Sequence, residues 1–199
     1  YKAVLTATQY YGRFMPMLMT AAGTVPAAKV FVMGAGVAGL QAIATARRLG
    51  AVVTATDVRA AAGEQVASLG AKFIMTDALK DASGQGGYAR ELTEEEKRAQ
   101  AELVAEHISK QDIVITTALI PGRPAPRLVT AEMIASMRPG SVIVDLAVER
   151  GGNVEGAVAG KSVTTANGVK ILGHLNMPGR VAASASLLYA RNLFAFLET

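Results

Sequence analysis

Residues 29–59 read KVFVMGAGVAGLQAIATARRLGAVVTATDVR. In this stretch an apolar run is followed by a glycine-rich turn, a longer apolar segment and a second apolar run. The short run Lys29–Met33, rich in β-branched and aromatic residues, predicts a buried strand. The glycine-rich turn Gly34–Gly39 follows, and a helix is predicted from about 37 to 49. A second apolar strand then ends at Asp57. Strand, turn, helix and strand in this order predict a βαβ unit with parallel strands.

The three glycines of the turn predict a site for phosphate groups. Gly34 permits a tight turn, Gly36 lets the main chain approach a pyrophosphate that a β-carbon would keep away, and Gly39 lets the helix pack closely on the strand. At Val37 and Ala38 the first turn of the helix offers N–H groups at the positive end of its dipole. We therefore expect a dinucleotide to lie across this turn.

A carboxylate follows at the distance that this geometry requires. Asp57 comes 21 residues after Gly36, where it can accept hydrogen bonds from both hydroxyls of the adenosine ribose. Its negative charge would repel a 2′-phosphate, so the sequence favours NAD over NADP. The alternative is a glycine-rich turn in some other doubly wound fold, since a glycine triplet alone is weak evidence.

Composition limits the classes of function. The 199 residues include 20 basic and 16 acidic side chains, for a net charge of +4, and the basic residues are scattered, so nucleic acid is not an expected partner. The chain is 51% hydrophobic, yet no stretch of about 18 residues stays free of glycine, proline and charge, so we expect no membrane span. There is no cysteine, and the two histidines, His107 and His174, lack ligand spacing, so we expect no metal site.

Further apolar runs, separated by helical patterns, predict the rest of the sheet. The predicted fold class is α/β, a doubly wound parallel sheet of the Rossmann type with six strands in the order 3-2-1-4-5-6. An additional short strand is predicted to pair near the edge of this sheet. The third to sixth strands and the additional strand are predicted at 72–75, 113–116, 141–144, 169–172 and 162–165.

Two helices are predicted outside this repeating unit. The first spans residues 1 to about 20 and the last spans 180–197, and both carry more apolar surface than one small sheet needs. We expect them to bridge to a second subdomain that lies mostly outside these residues. The predicted division is a linking helix at 1–22, a dinucleotide-binding domain at 23–176 and a returning helix at 177–199.

Ligands of such sheets bind beyond the carboxyl ends of the strands, so the loops there are candidate site segments. After the fourth strand, three prolines stiffen residues 117–127, which form either a wall beside the cofactor or a plain crossover. After the fifth strand, Glu149 and Arg150 are charged residues near the expected position of the nicotinamide ring of the dinucleotide. The alternative is that they form an ion pair that holds the loop. His174, after the sixth strand, fits a hydrogen-bonded structural histidine better than a general base. We find no set of catalytic acids and bases.

A glycine-rich segment at 81–90 surrounds Tyr88 and lies between the third and fourth strands. The helix that follows has a well-specified start, because Thr93 and Glu96 have the spacing of a capping box. An aromatic residue on such a segment beside a nucleotide suggests a lid that closes over the ligand. The alternative is a disordered surface connection.

Seven motifs together form a pattern more specific than any glycine fingerprint. They are AAGTVPAAK (21–29), the turn GAGVAG (34–39), RRLGAVV (47–53), DVR (57–59), GGYA (86–89), TTALIPG (116–122) and PGSVIVDLA (139–147). This pattern resembles the alpha subunit of proton-translocating NAD(P) transhydrogenase, in the superfamily that also contains alanine dehydrogenase. The resemblance spans essentially the whole chain.

The resemblance implies the NAD(H)-binding domain I of that family, and it assigns roles by position. The implied cofactor-binding residues are Gly34, Gly36, Val37, Ala38 and Gly39 at the pyrophosphate, Asp57, Val58 and Arg59 around the adenosine ribose, Gly87 and Tyr88 on a mobile loop, Ala118 and Leu119 against the cofactor, and, on a weaker match, Gln100. No catalytic residue is implied, because hydride passes directly between two nicotinamide rings in this family.

The resemblance also implies partners. NADP(H) would be held by another domain, a membrane domain would couple hydride transfer to proton translocation, and the domain would form a homodimer. It would protrude on the cytoplasmic face of a bacterial inner membrane, or on the matrix side in mitochondria. Family members carry an upstream subdomain with an Arg-Gln-Asp loop for the nicotinamide, so we expect these 199 residues alone to be inactive.

Two other functions remain open. The first is an NAD-dependent oxidoreductase of the alanine dehydrogenase type, which has the same fold and a similar Asn-Met-Pro-Gly ending. The second is a non-catalytic module that binds NAD.

Overall fold

The structure, a computed structural model, describes residues 1–76 and 93–198. Helices and strands alternate along most of these residues. In chain order they are α1 (Lys2–Tyr11), β1 (Leu18–Thr20), β2 (Gly23–Val25), β3 (Lys29–Met33), α2 (Val37–Arg48), β4 (Val52–Thr56), α3 (Ala62–Ser68), β5 (Lys72–Phe73), α4 (Glu94–Ile108), β6 (Ile113–Thr116), α5 (Ala131–Ser136), β7 (Val142–Asp145), β8 (Ser162–Thr164), β9 (Lys170–Leu172) and α6 (Ala182–Leu197). Short 3-10 helices at Val148–Arg150 and Met177–Val181 follow β7 and β9.

Seven of the described strands form one sheet in the order β5-β4-β3-β6-β7-β9-β8, and β1 and β2 form a separate hairpin. β3 is central and runs parallel to both neighbours, with Lys29 opposite Val52 of β4 and Val30 opposite Ile113 of β6. The six predicted parallel strands thus have the order 3-2-1-4-5-6, which confirms the α/β Rossmann prediction. The additional edge strand is β8, which pairs antiparallel with β9.

The two faces of β3 pack against different helices. Val30 and Val32 belong to the buried cluster under α1 and α2, whereas Phe31 and Met33 belong to the cluster on the opposite face, with Ile108 of α4. Full burial of such a side chain contributes roughly 1.5–3 kcal/mol. Because the strand order reverses at β3, a crevice lies beyond its carboxyl end, between the loops that follow β3, β4 and β6.

The first helix is shorter than predicted. α1 ends at Tyr11, because Gly12 adopts a left-handed conformation with φ of 68°. The chain then passes Pro16, which packs against Gly50, and forms the β1–β2 hairpin. Met15 is buried although it is not helical. Met15 continued the helical spacing of apolar residues in the sequence, and this spacing led to the prediction of a helix to about residue 20. That prediction was wrong.

Two other boundaries differ from the prediction. β5 is limited to Lys72–Phe73, although Ile74 N–H still donates to the carbonyl of Ala55 at 2.8 Å. α6 begins at Ala182 rather than at residue 180, after the 3-10 turn, and has no buried residue. Among the residues that the structure describes, no helix has the length and apolar character needed to cross a membrane.

Candidate functional site

Gly34, after β3, and Gly39, in the first turn of α2, are required by packing within the protein. Gly34 has φ of 104°, and a β-carbon there would lie 2.5 Å from Oγ1 of Thr117. A β-carbon on Gly39 would overlap the carbonyl oxygen of Gly34. The absence of side chains at both positions therefore allows α2 to begin close against β3 and the loop after β6.

Gly36 differs from these two glycines because it faces open space. Its backbone is extended, with φ of −74° and ψ of −171°, and a β-carbon there would meet no atom of the described residues within 4 Å. Gly36 is the N-cap of α2, no side chain caps the helix, and Val37 and Ala38 are exposed. Among the residues that the structure describes, N–H groups without a side-chain cap and open space therefore coincide at the positive end of a helix, which fits a pyrophosphate.

Asp57 follows β4 and is tied to the glycine turn. Its carboxylate accepts hydrogen bonds from Ala35 N–H at 2.7 Å and from the main-chain N–H and Nε of Arg59, both at 2.9 Å. Burial raises the pKa of Asp57, but these bonds outweigh burial, so the pKa lies below its ordinary value. The side chain is 8% exposed and that of Arg59 is 59% exposed, so a ribose could replace the guanidinium. Val58 between them is 77% exposed.

Gln100 on α4 connects the carboxyl ends of β4 and β5. Its Oε1 accepts from Thr76 N–H at 3.0 Å, and its Nε2 donates to Oγ1 of Thr56 at 3.2 Å. Thr56 directly precedes Asp57, so Gln100 supports the strand end that carries the carboxylate. The capping box predicted at Thr93 and Glu96, at the start of the same helix, is confirmed.

The loop after β6 forms one side of an open cleft of about 890 Å³. Ala118 is held by hydrogen bonds to the side chain of Asn153, and Leu119 is 54% exposed. Residues 119–124 and Glu149–Gly151 line this cleft. Glu149 does not pair with Arg150; its Oε1 accepts from the main-chain N–H of Asn176 at 2.6 Å. Of the two predictions for these charges, the ion pair was therefore wrong.

Buried polar residues beneath this loop were missed by sequence reasoning. Asp145, at the end of β7, is fully buried and accepts from Oγ1 of Thr116, from Ala147 N–H and from Val154 N–H. Asn153 is also fully buried. The signal that could have indicated them is the Gly-Gly-Asn sequence at 151–153, because consecutive glycines before a buried amide imply a specific turn.

The remaining candidate residues fall into two groups. Gly87 and Tyr88 lie outside the described residues. His174 Nδ1 lies 3.2 Å from Nη2 of Arg180, and burial, with the charge of Arg180, lowers the pKa of His174. Nε2 of His174 is buried and has no partner within the described residues. Those residues contain no group of three potential metal ligands.

The parallel sheet, the glycine turn and the carboxylate after β4 define the class of protein, which is a Rossmann-type α/β domain. The turn at Gly34–Gly39 and Asp57 together form a cradle that fits a dinucleotide. Comparison with known proteins identifies the family. The chain belongs to the family described as alanine dehydrogenase/PNT, C-terminal domain, which residues 3–199 match.

Known relatives make this assignment more specific. The chain is 61% identical over 199 residues to a Rhodospirillum rubrum protein named as the first portion of NAD(P) transhydrogenase subunit alpha, covering 99% of this chain and 52% of that protein. A solved structure of transhydrogenase from Sinorhizobium meliloti matches with a TM-score of 0.88 and 70% identity, covering 100% of this chain and 53% of the other. An L-alanine dehydrogenase structure matches with a TM-score of 0.74 and 26% identity, covering 98% and 52%. The chain thus spans about half the length of these relatives, and the resemblance to the transhydrogenase family is confirmed.

Proposed function

We propose that this chain is the NAD(H)-binding part of a proton-translocating transhydrogenase. Hydride would pass between NAD(H) bound here and NADP(H) bound by another domain, and a membrane domain would couple that transfer to proton movement. Two observations support the proposal: relatives named NAD(P) transhydrogenase subunit alpha match almost the whole chain, and the cradle has the shape and polarity that a dinucleotide needs.

The observation that carries the proposal is the combination of Gly36 and Asp57. Gly36 leaves room and main-chain donors for a pyrophosphate, and Asp57 places a carboxylate beside it, held by Ala35 N–H at 2.7 Å. Both groups are needed for one ligand, because the adenosine ribose adjoins the pyrophosphate. The low pKa of Asp57 keeps the carboxylate ionised, which favours a ribose with a free 2′-hydroxyl over a 2′-phosphate.

The chemistry proposed here asks little of the protein beyond placement. Bound NAD(H) would supply the nicotinamide carbon that gives or takes the hydride. The residues of this chain would hold the two phosphates and the ribose, and the loop after β6 would limit the positions open to the nicotinamide end. Orientation and exclusion of water are then the contributions expected of the domain.

The terminal elements support a larger assembly. α6 has no buried residue, yet it carries large apolar side chains, and among these Leu188 is 61% and Phe194 is 62% exposed. We propose that 1–22 and 177–199 flank the NAD(H)-binding domain at 23–176. Within 1–22, α1 packs on the sheet of that domain through buried residues such as Val4 and Ala7. We propose that α6 packs against the further part of the protein that the longer relatives contain. The proposal includes the homodimer and a position on the cytoplasmic or matrix side of the membrane.

A binding titration tests the proposed cofactor. NADH fluorescence would be measured with the 199-residue chain and with the same chain joined to the upstream region of one of the longer relatives. Saturable NADH binding, with much weaker competition by NADPH, is expected. Failure of both forms to bind NADH would overturn the proposal.

Alanine dehydrogenase activity is the second candidate, since an L-alanine dehydrogenase shares the fold over 98% of this chain. Assays of the longer protein separate the two. We expect reduction of an NADP analogue by NADH in the presence of the NADP(H)-binding domain, and no NADH-dependent amination of pyruvate. A non-catalytic module would bind NADH and do neither.

A further inference from the structure

The Asn153 side chain is a fully buried amide at the carboxyl ends of β6 and β7. Its Oδ1 accepts from Ala118 N–H at 3.1 Å, and its Nδ2 donates to the carbonyls of Ala118 at 2.9 Å and Pro126 at 2.8 Å. The orientation of the amide follows from these partners, because a main-chain N–H can only donate and a carbonyl can only accept. One side chain therefore fixes both ends of the loop at 118–126.

The chain before Asn153 is shaped to bring this amide beneath the loop. Gly151 and Gly152 have φ of 96° and 78°, a conformation that favours glycine. A β-carbon on Gly152 would also lie 2.8 Å from Oδ2 of Asp145. The same carboxylate oxygen accepts from Val154 N–H at 3.1 Å. Asn153 is thus held from both sides by a turn that a buried carboxylate stabilises.

The loop that Asn153 fixes is the wall of the cleft. Leu119, next to Ala118, is 54% exposed, and residues 119–124 line the cleft together with Glu149–Gly151. We propose that Asn153 is a positioning residue for NADH: it does not touch the cofactor, but it holds Ala118 and Leu119 where they limit the nicotinamide side of the site. This inference rests on the proposed function and deepens it.

The position of the wall determines which ligand should lose affinity when the wall is displaced. In a sheet of this order, the adenosine half of a dinucleotide lies on the β4 side, near Asp57, and the nicotinamide half lies toward β6 and β7. ADP would occupy only the glycine turn and the β4 side. Displacement of the wall should therefore weaken NADH while ADP binding is retained, whereas a general loss of structure would weaken both.

Asn167 provides a matched control at the opposite end of the sheet. Its Nδ2 donates to the carbonyls of Ile134, Ala135 and Met137, and its Oδ1 accepts from Oγ1 of Thr165. The substitutions Asn153→Asp and Asn167→Asp are nearly isosteric, and each turns a donating nitrogen into an oxygen that faces carbonyl oxygens. Both should lower stability, but only the first should move the wall.

The experiment measures dissociation constants for NADH and ADP, together with the thermal midpoint of each variant, in the form of the protein that binds NADH. For Asn153→Asp we expect NADH to bind about tenfold more weakly, because the displaced loop no longer limits the nicotinamide side, with ADP within about twofold of the parent. For Asn167→Asp both constants should stay within about twofold. An unchanged NADH constant in Asn153→Asp, or equal weakening of NADH and ADP, would overturn the positioning role.

A second pair of variants covers the case in which Asn153→Asp does not fold. Asn153→Ser and Asn167→Ser remove the amide without adding charge, and the same two ligands and the same outcomes apply. A parent protein that binds neither NADH nor ADP would instead contradict the proposed function. A parent that binds NADH, with variants that do not discriminate, would contradict only the role of Asn153.

Discussion

The amino and carboxyl ends of the parallel strands use polar groups in different ways. At the amino ends the protein satisfies its own polar groups: the Asp112 carboxylate accepts from Lys29 N–H at 2.8 Å, and Asn167 donates to three carbonyls at the end of α5. At the carboxyl ends the turn at Gly36 leaves main-chain N–H groups beside open space. We therefore expect stability to depend on residues at both ends, and ligand binding to depend on residues at the carboxyl ends only.

Two aspartates make this comparison specific. Asp112, at the amino end, is 8% exposed. The pKa of Tyr11 is raised to about 12, first by burial of the tyrosine and then by the negative charge of Asp112. Asp57, at the carboxyl end, also accepts a main-chain N–H, but its other partner is the exposed and replaceable Arg59. The first carboxylate lies between the end of α1 and the sheet, whereas the second is the one that we propose for the ribose.

The largest expected effect is on folding, from Gly39→Ala. In an ordinary helix this change would stabilise by roughly 0.5–1 kcal/mol. Here the new β-carbon would overlap the carbonyl oxygen of Gly34, so we expect a loss of about 3 kcal/mol in the free energy of unfolding. Urea denaturation measures it, and a variant as stable as the parent would show that α2 does not lie this close to β3.

Gly36→Ala should leave stability unchanged and weaken NADH binding, in contrast to Gly39→Ala. Its backbone suits any residue and its β-carbon would meet no atom in the described part of the chain within 4 Å, so the unfolding midpoint should equal or slightly exceed that of the parent. NADH should bind more weakly by about 2 kcal/mol, because the methyl group would occupy the space proposed for the pyrophosphate. Retention of full NADH affinity would place the phosphates elsewhere. Gly39→Ala serves as the control for a change that acts through the fold.

The two aspartates can be tested as a pair. Asp57→Asn should weaken NADH binding by about 1–3 kcal/mol, because a charged acceptor for two hydroxyls is lost. Asp112→Asn should leave the NADH dissociation constant unchanged and lower the unfolding free energy by about 1 kcal/mol. Fluorescence titration and urea denaturation of both variants provide the measurements. If the two exchange roles, the division between the ends of the sheet is wrong.

The sheet and the glycine turn could be predicted from sequence because their signals are local. The order of the strands followed from the alternation of apolar runs and helical patterns, and Val30 and Phe31 do face opposite layers. The position of Asp57 followed from a spacing that the βαβ unit fixes. In each case neighbouring residues carry the information.

The features that were missed depend on contacts between distant segments. Asn153 reaches Ala118 and Pro126, which lie 35 and 27 positions away, and no local pattern specifies that contact. The end of α1 was missed for a related reason, because Met15 is buried by tertiary packing rather than as part of a helix. The spacing of apolar residues indicates which side chains are buried, but it does not indicate where the helix ends. The end of the helix is set by Gly12, which adopts a left-handed conformation.

The smallest expected effect concerns His107, which lies on α4 among the groups that stabilise the fold. Its Nε2 lies 2.8 Å from Oγ1 of Thr54 and 3.1 Å from Nε2 of Gln111. Since the amide nitrogen can only donate, Nε2 of His107 accepts and the neutral ring carries its proton on Nδ1. Burial lowers the pKa of His107, and the charges of Lys110, Lys72 and Lys29 lower it further, while Glu106 opposes them.

A lowered pKa in the folded protein means that the unfolded chain binds the proton more readily. The contribution of His107 to stability should therefore be complete above its ordinary pKa of about 6.5 and should decline as the pH falls from there toward the lower folded value. His107→Gln should remove this dependence, so the difference in thermal midpoint between the parent and the variant should shrink by roughly 1–2 °C between about pH 7.5 and 5.5. The NADH constant at pH 7.5 should not change. A difference in midpoint that stays constant over this range would mean that the half-buried ring accepts its proton without loss, and that Gln111 does not hold it in the neutral form.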